Sequence, residues 1–179
     1  MSESPWRIEP LAIDDCDELG AVHVEIWKAA YADHMPPDYL AALDAAAWAA
    51  NWRRRAAVPE LAARTLVARD EQGRIVGFAS AGPTRDEYAL TEWELYAVNL
   101  LPDVHGTGLA DELIARAVGD RQATLWVLEG NARAQAFYRR HGFVAEGAHA
   151  RHDGTGAPEI RMVRWPDAAA HRAHDLARA

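Results

Sequence analysis

The sequence predicts a mixed α/β protein, a sheet with helices on its faces. Three observations lead there. Apolar segments of strand period alternate with segments of helical period along the chain. Turn residues, among them Asp70-Glu71-Gln72-Gly73, Gly82-Pro83 and Gly142, punctuate those segments. The 179 residues suit one compact domain with a sizeable core, and no internal repeat or dividing linker interrupts them. The expected organisation is a single domain over 1–165 and a C-terminal tail over 166–179, helical or disordered.

Residues 6–11 read as a first strand. Asp14 is the expected cap of a helix whose Leu19, Val22 and Ile26 recur at helical spacing, with Trp27 and Tyr31 prolonging that face. Pro36-Pro37 breaks the chain, and Pro37 is suited to start the next helix. The alanine-rich run to about Ala57, with Tyr39, Leu40, Leu43, Trp48 and Trp52, reads as one or two helices. Residues 65–68 and 75–79 are paired strands around a hairpin turn, and Gly82-Pro83 ends the second. A long strand over 93–100 stops before Pro102. A helix over 108–118 and a strand over 123–128 follow. Asn131 opens another helix, which stops near Gly142, and 143–145 and 159–165 are the last strands.

Composition narrows the function classes. The net charge of -8 repels nucleic-acid backbones and anionic membranes and attracts cationic small molecules. A single cysteine, Cys16, excludes an intrachain disulfide and reads as a small buried hydrophobe. The N-terminal MSESPWRIEP lacks the pattern of a signal peptide, and no 18-residue apolar window is present. The expectation is a cytoplasmic protein with no nucleic-acid or membrane partner; a homodimer stays open. His149 and His152, and His171 and His174, are spaced i to i+3, but no carboxylate–histidine set accompanies them, and no metal is expected.

The informative stretch runs from Glu94 to Phe143. A strand ends in Leu100-Leu101-Pro102-Asp103-Val104, and His105-Gly106-Thr107-Gly108-Leu109-Ala110 leads into a helix. Glycines at such a junction leave backbone N–H groups uncovered, and the helix start adds partial positive charge, which suits a phosphate or pyrophosphate. The loop is neither a Walker A motif, lacking its GK[ST], nor a dinucleotide fingerprint, since Asp111 stands where the third glycine belongs. After the strand Thr124-Leu125-Trp126-Val127-Leu128 comes Asn131-Ala132-Arg133-Ala134-Gln135-Ala136-Phe137-Tyr138, ending in His141-Gly142-Phe143.

These two segments, in this order, resemble the GNAT superfamily of acyl-CoA-dependent N-acyltransferases. His105, Gly108 and Ala110 fall on the family's pyrophosphate-loop positions; histidine replaces the usual Gln or Arg. Asn131, Ala134, Phe137, Tyr138, Gly142 and Phe143 match the later helix without a gap. The resemblance implies a mostly antiparallel central sheet with helices on both faces. It implies acetyl-CoA as donor, CoA as product and a primary amine of a small molecule as acceptor. Cofactor contacts are then expected from Val98, Leu100, His105, Gly106, Thr107, Gly108, Leu109, Ala110, Asn131, Ala134, Phe137 and Tyr138.

The chemistry assigns roles on that resemblance. An attacking amine must lose a proton, and a departing thiolate benefits from an acid. Tyr138 is the expected acid. Glu94, a lone carboxylate on an apolar strand that shares a face with Tyr96 and Val98, is the expected base; an edge-exposed or salt-bridged carboxylate is the alternative. Trp27, Tyr31, Asp86 and Glu87 are candidate substrate contacts, although aromatics at helical spacing are more often core and acidic loops more often solvated. The charge favours an aminoglycoside-type antibiotic, a polyamine or an amino-acid derivative. A protein N-terminal or lysine acetyltransferase, and a non-catalytic acyl-CoA-binding module, are the alternatives.

Overall fold

The computed structural model describes residues 4–165. The tail expected over 166–179 lies outside them, as do His171 and His174. The described residues form two compact units. The first runs through Ala81 and resumes over Tyr96–Ala117; the second comprises Gly82–Leu95 and the residues from Val118 onward.

In the first unit, β1 (Arg7–Pro10), β2 (Thr65–Arg69) and β3 (Ile75–Pro83) are antiparallel neighbours, and β4 (Trp93–Leu100) follows β3 in strand order. Val67 and Ala68 of β2 and Ile75, Val76, Phe78 and Ala79 of β3 are buried and form the sheet's contribution to the core. A 3-10 turn (Ile13–Asp15) precedes α1 (Cys16–Ala30). Asp14 is not its cap. Asp15 holds the N-cap position instead, and its carboxylate accepts from the N–H of Ala12 at 2.9 Å and pairs with Arg69. Cys16 is fully buried, and burial pushes its thiol pKa up.

The alanine-rich region forms two helices, α2 (Pro37–Ala41) and α3 (Ala45–Ala56), and a third short one follows, α4 (Pro59–Ala63). Asp44 caps α3 by accepting from Ala46 N–H at 2.9 Å. The alanines serve close packing: a Cβ at Gly20 of α1 would lie 2.6 Å from the Ala45 carbonyl oxygen and 2.7 Å from Ala49 N. The first unit closes with α5 (Leu109–Val118), whose Leu109 and Leu113 join the core.

The second unit holds β5 (Ala123–Leu128), α6 (Ala132–Arg140), β6 (Phe143–Arg151) and β7 (Pro158–Arg164), with strand order β4-β5-β7-β6. β5 runs parallel to β4, with Glu94 opposite Thr124; the pairs β5–β7 and β6–β7 are antiparallel. The seven strands are thus mostly antiparallel, as the resemblance implies.

Two strands outrun their expected ends. β3 continues through Gly82-Pro83, because proline is tolerated at a strand terminus where no ladder N–H is needed. β6 extends to Arg151 across a bulge between Ala145 and His149, where Gly147 adopts φ 99°. Pairing with β7 supplies the order that its alanine-rich sequence does not announce.

Candidate functional site

In the first unit, the loop before α5 is built from a 3-10 turn (Pro102–Val104) and two glycines in the left-handed region, Gly106 at φ 78° and Gly108 at φ 88°. Nothing lies within 4 Å of where a Cβ would stand on either glycine, so the loop's outer side is open. Thr107 Oγ1 donates to the Val104 carbonyl at 2.7 Å and fixes the turn. The ten-residue α5 starts at Leu109, and the N–H groups of its first turn have no intrahelical acceptors. Open backbone, a helix N-terminus and Cβ-free approach make a cradle that fits a pyrophosphate.

His105 Nε2 stands 3.2 Å from the Leu100 carbonyl oxygen, a contact in which the Nε2–H tautomer donates. Two expected cofactor residues therefore meet each other. Leu100 and Val98 pack against the core, and a Cβ at Gly77 of β3 would lie 2.4 Å from Leu100 Cδ2. Gly77 is required there for close approach of the two strands.

The same unit gathers the aromatics. Trp27 lies edge-on to Tyr31 with centroids 5.0 Å apart, and 5.8 Å from Trp48. At the middle of this cluster is His23, 5 % exposed, with its ring 4.0 Å from Trp48, 4.8 Å from Phe78 and 5.5 Å from Trp52. Its Nδ1 has no hydrogen-bond partner, and neither has Trp52 Nε1. Burial alone pushes the His23 pKa down to about 3, so the ring is neutral. The sequence reading missed His23 because a single histidine on a helix carries no pattern.

In the second unit, Asn131 caps α6, its Oδ1 accepting from Ala134 N–H at 3.0 Å. This joins two expected cofactor residues in one capping contact. Phe137 and Tyr138 stand in edge contact, 5.4 Å apart, and Tyr138 lies 6.0 Å from Phe143. Gly142, at φ 82°, ends the helix as expected.

Glu94 is 2 % exposed. Both its oxygens are engaged by Arg85: Oε1 by Nη2 at 2.6 Å, Oε2 by the backbone N–H at 2.9 Å. The side chain of Arg85 is 65 % exposed against 3 % for Glu94, so the guanidinium sits at the solvent boundary. An amine reaching Glu94 competes with it.

Asp86 pairs with Arg161, which is also held by Glu146 at 2.6 Å. Burial pushes Asp86 up, but the Tyr88 N–H and Arg161 outweigh it and hold the carboxyl below its ordinary range. Glu87 is exposed. Arg85, Glu146 and Arg161 were missed by the sequence reading. Arg161 and Asp86 are far apart along the chain, and only the alternation of charged and apolar residues over 159–164 hints at them.

Among the described residues no group of three or more His, Cys, Asp and Glu is placed to hold a metal, and no helix is long and apolar enough to cross a membrane.

Comparison with known proteins defines the class. Residues 62–145 match the acetyltransferase (GNAT) domain model. An uncharacterised N-acetyltransferase of Mycobacterium bovis is 32% identical over 142 residues, covering 74% of this chain and 85% of that protein. A second, from Bacillus subtilis, is 29% identical over 166 residues, covering 85% of this chain and 92% of that one. The crystal structure of the PaiA N-acetyltransferase from Thermoplasma acidophilum, in complex with coenzyme A, has a similar fold. Its TM-score is 0.66 at 21% identity, over 92% of this chain and 99% of that one. The chain belongs to the GNAT acetyltransferase family.

Proposed function

We propose that this acetyltransferase moves an acetyl group from acetyl-CoA to a primary amine of a small cationic molecule, such as an aminoglycoside-type antibiotic, a polyamine or an amino-acid derivative. The observation that carries the acceptor class is a local excess of carboxylates in the second unit. There Asp86, Glu94, Glu146 and Glu159 stand against Arg85 and Arg161. Such a surface concentrates cations and repels anions.

The donor supplies an activated thioester. The residues that would hold it are the loop from His105 to Ala110, where His105 N–H donates to the Pro102 carbonyl and the N–H groups after it are those suited to a pyrophosphate, and Val98 and Leu100, whose backbone would run beside a pantetheine arm. In the second unit, Asn131 keeps its amide N–H groups for a donor contact while its oxygen caps α6. Ala134 and Phe137 shape the helix face next to it.

Tyr138 holds the proton that the departing sulfur takes. Glu94 takes the amine's proton, directly or through water, when the solvent-facing Arg85 moves off it. Trp27 and Tyr31, both partly exposed, are the candidate acceptor contacts of the first unit; Asp86 and Glu87 are those of the second.

The test is thiol release from acetyl-CoA with a panel of amines, in wild type and Tyr138→Phe. Loss of a general acid is worth about a hundredfold in rate. The expected outcome is turnover with cationic amines, with kcat about a hundredfold lower in Tyr138→Phe and the acetyl-CoA KM little changed. Turnover confined to neutral or peptide acceptors contradicts the acceptor class; near-full kcat in the variant contradicts the role of Tyr138.

A further inference from the structure

The carboxylates of the second unit are not equivalent. The register Leu128↔Glu159, Trp126↔Arg161 and Thr124↔Val163, with Glu94 opposite Thr124, puts Glu94, Trp126, Arg161 and Glu159 on one face of the sheet. Arg161 covers the Trp126 ring at 5.5 Å. Its guanidinium is taken up by Glu146 and Asp86, and that of Arg85 by Glu94. Glu159 alone of these four carboxylates has no hydrogen bond or ion pair to a described residue, although it is partly buried and part of an ordered strand. Leaving a carboxylate in that position without a partner costs stability, and a cation restores the loss.

We propose that Glu159 is a specificity residue that binds a second cationic group of the acceptor, an ammonium or guanidinium distinct from the amine that is acetylated. The inference rests on the small-cation reading above and deepens it. Burial holds the Glu159 carboxyl above its ordinary range; the charges of His152 and Arg85 act the other way, and Asp153 adds to the rise. An arriving cation favours the ionised form, so binding and ionisation reinforce each other. Arg85 senses Glu159 only at a distance, because both its backbone N–H and its guanidinium are directed at Glu94.

The experiment compares amines that differ by one cationic group: 1,4-diaminobutane against n-butylamine, and lysine amide against norleucine amide. Acceptor kcat and KM and the acetyl-CoA KM are measured for wild type, Glu159→Gln and Glu159→Asp. A charge-assisted contact of this kind is worth about tenfold in affinity. Wild type is expected to prefer the dication of each pair by about tenfold. Glu159→Gln should erase that preference through the acceptor KM, with kcat and the acetyl-CoA KM unchanged, and Glu159→Asp should recover part of it. A structural role predicts none of this split. Glu159→Gln retaining the preference, or wild type treating both members of each pair equally, overturns the Glu159 assignment alone. Wild type transferring to none of the four amines overturns the small-cation reading together with it.

Discussion

The aromatic cluster of the first unit and the charged sheet face of the second solve opposite problems. Around His23 the chain removes polarity: four rings surround one imidazole, its Nδ1 is left without a partner, and burial keeps it neutral. Across Glu94, Arg161 and Glu159 it retains charge and arranges it into pairs, with one carboxylate left over. A dry aromatic group supplies stability and shape, whereas a half-wet charged face supplies selectivity and proton handling. Under the function proposed above, the acceptor's charge is read on the sheet face. The aromatics chiefly hold α1 and α3 in place.

Acid is the strongest way to break the first region. The folded-state pKa of His23 is about 3 against 6.5 in the unfolded chain. The unfolded state therefore binds the extra proton first. The His23 contribution to stability is unaffected well above pH 6.5, falls as the pH drops below it, and is fully lost near pH 3. At about 1.4 kcal/mol per pH unit, roughly 2 kcal/mol is gone by pH 5 and nearly 5 kcal/mol at the limit. Urea unfolding at pH 8, 6.5 and 5 should show this loss in wild type and a flatter slope in His23→Leu. Parallel slopes would remove His23 from the account.

A smaller effect sharpens the same contrast. Gly20→Ala gains about 1 kcal/mol of helix propensity, but its methyl meets the backbone of α3, an overlap that costs about 1–3 kcal/mol. The net expectation is a lower Tm with the acceptor KM unchanged. A shifted KM in a stably folded variant would mean that the α1–α3 region, rather than the sheet face, reads the acceptor.

The parts that were legible in the sequence are those with local causes. β4 and β5 follow from their apolar runs, α6 from its Asn131 cap and Gly142 stop, and the open turn before α5 from Gly106 and Gly108. The unread parts depend on partners remote in sequence. β6 owes its length to β7, and Asp86 and Arg161 meet across 75 positions. The buried ion pair of Glu94 was foreseen as an alternative, but its partner Arg85 lies in a loop without pattern. Sequence periodicity shows which face a residue takes; it does not show which opposite charge will be waiting there.

The central claim is that the charged face handles the amine. It is tested most directly by the pH dependence of acceptor kcat/KM in wild type and Glu94→Gln, with the acetyl-CoA KM as control. The account predicts that the variant loses or shifts the acidic limb and falls in acceptor kcat/KM while its acetyl-CoA KM holds. A Glu94→Gln enzyme with the wild-type pH profile and acceptor efficiency would contradict it, leaving Glu94 as the structural anchor of Arg85.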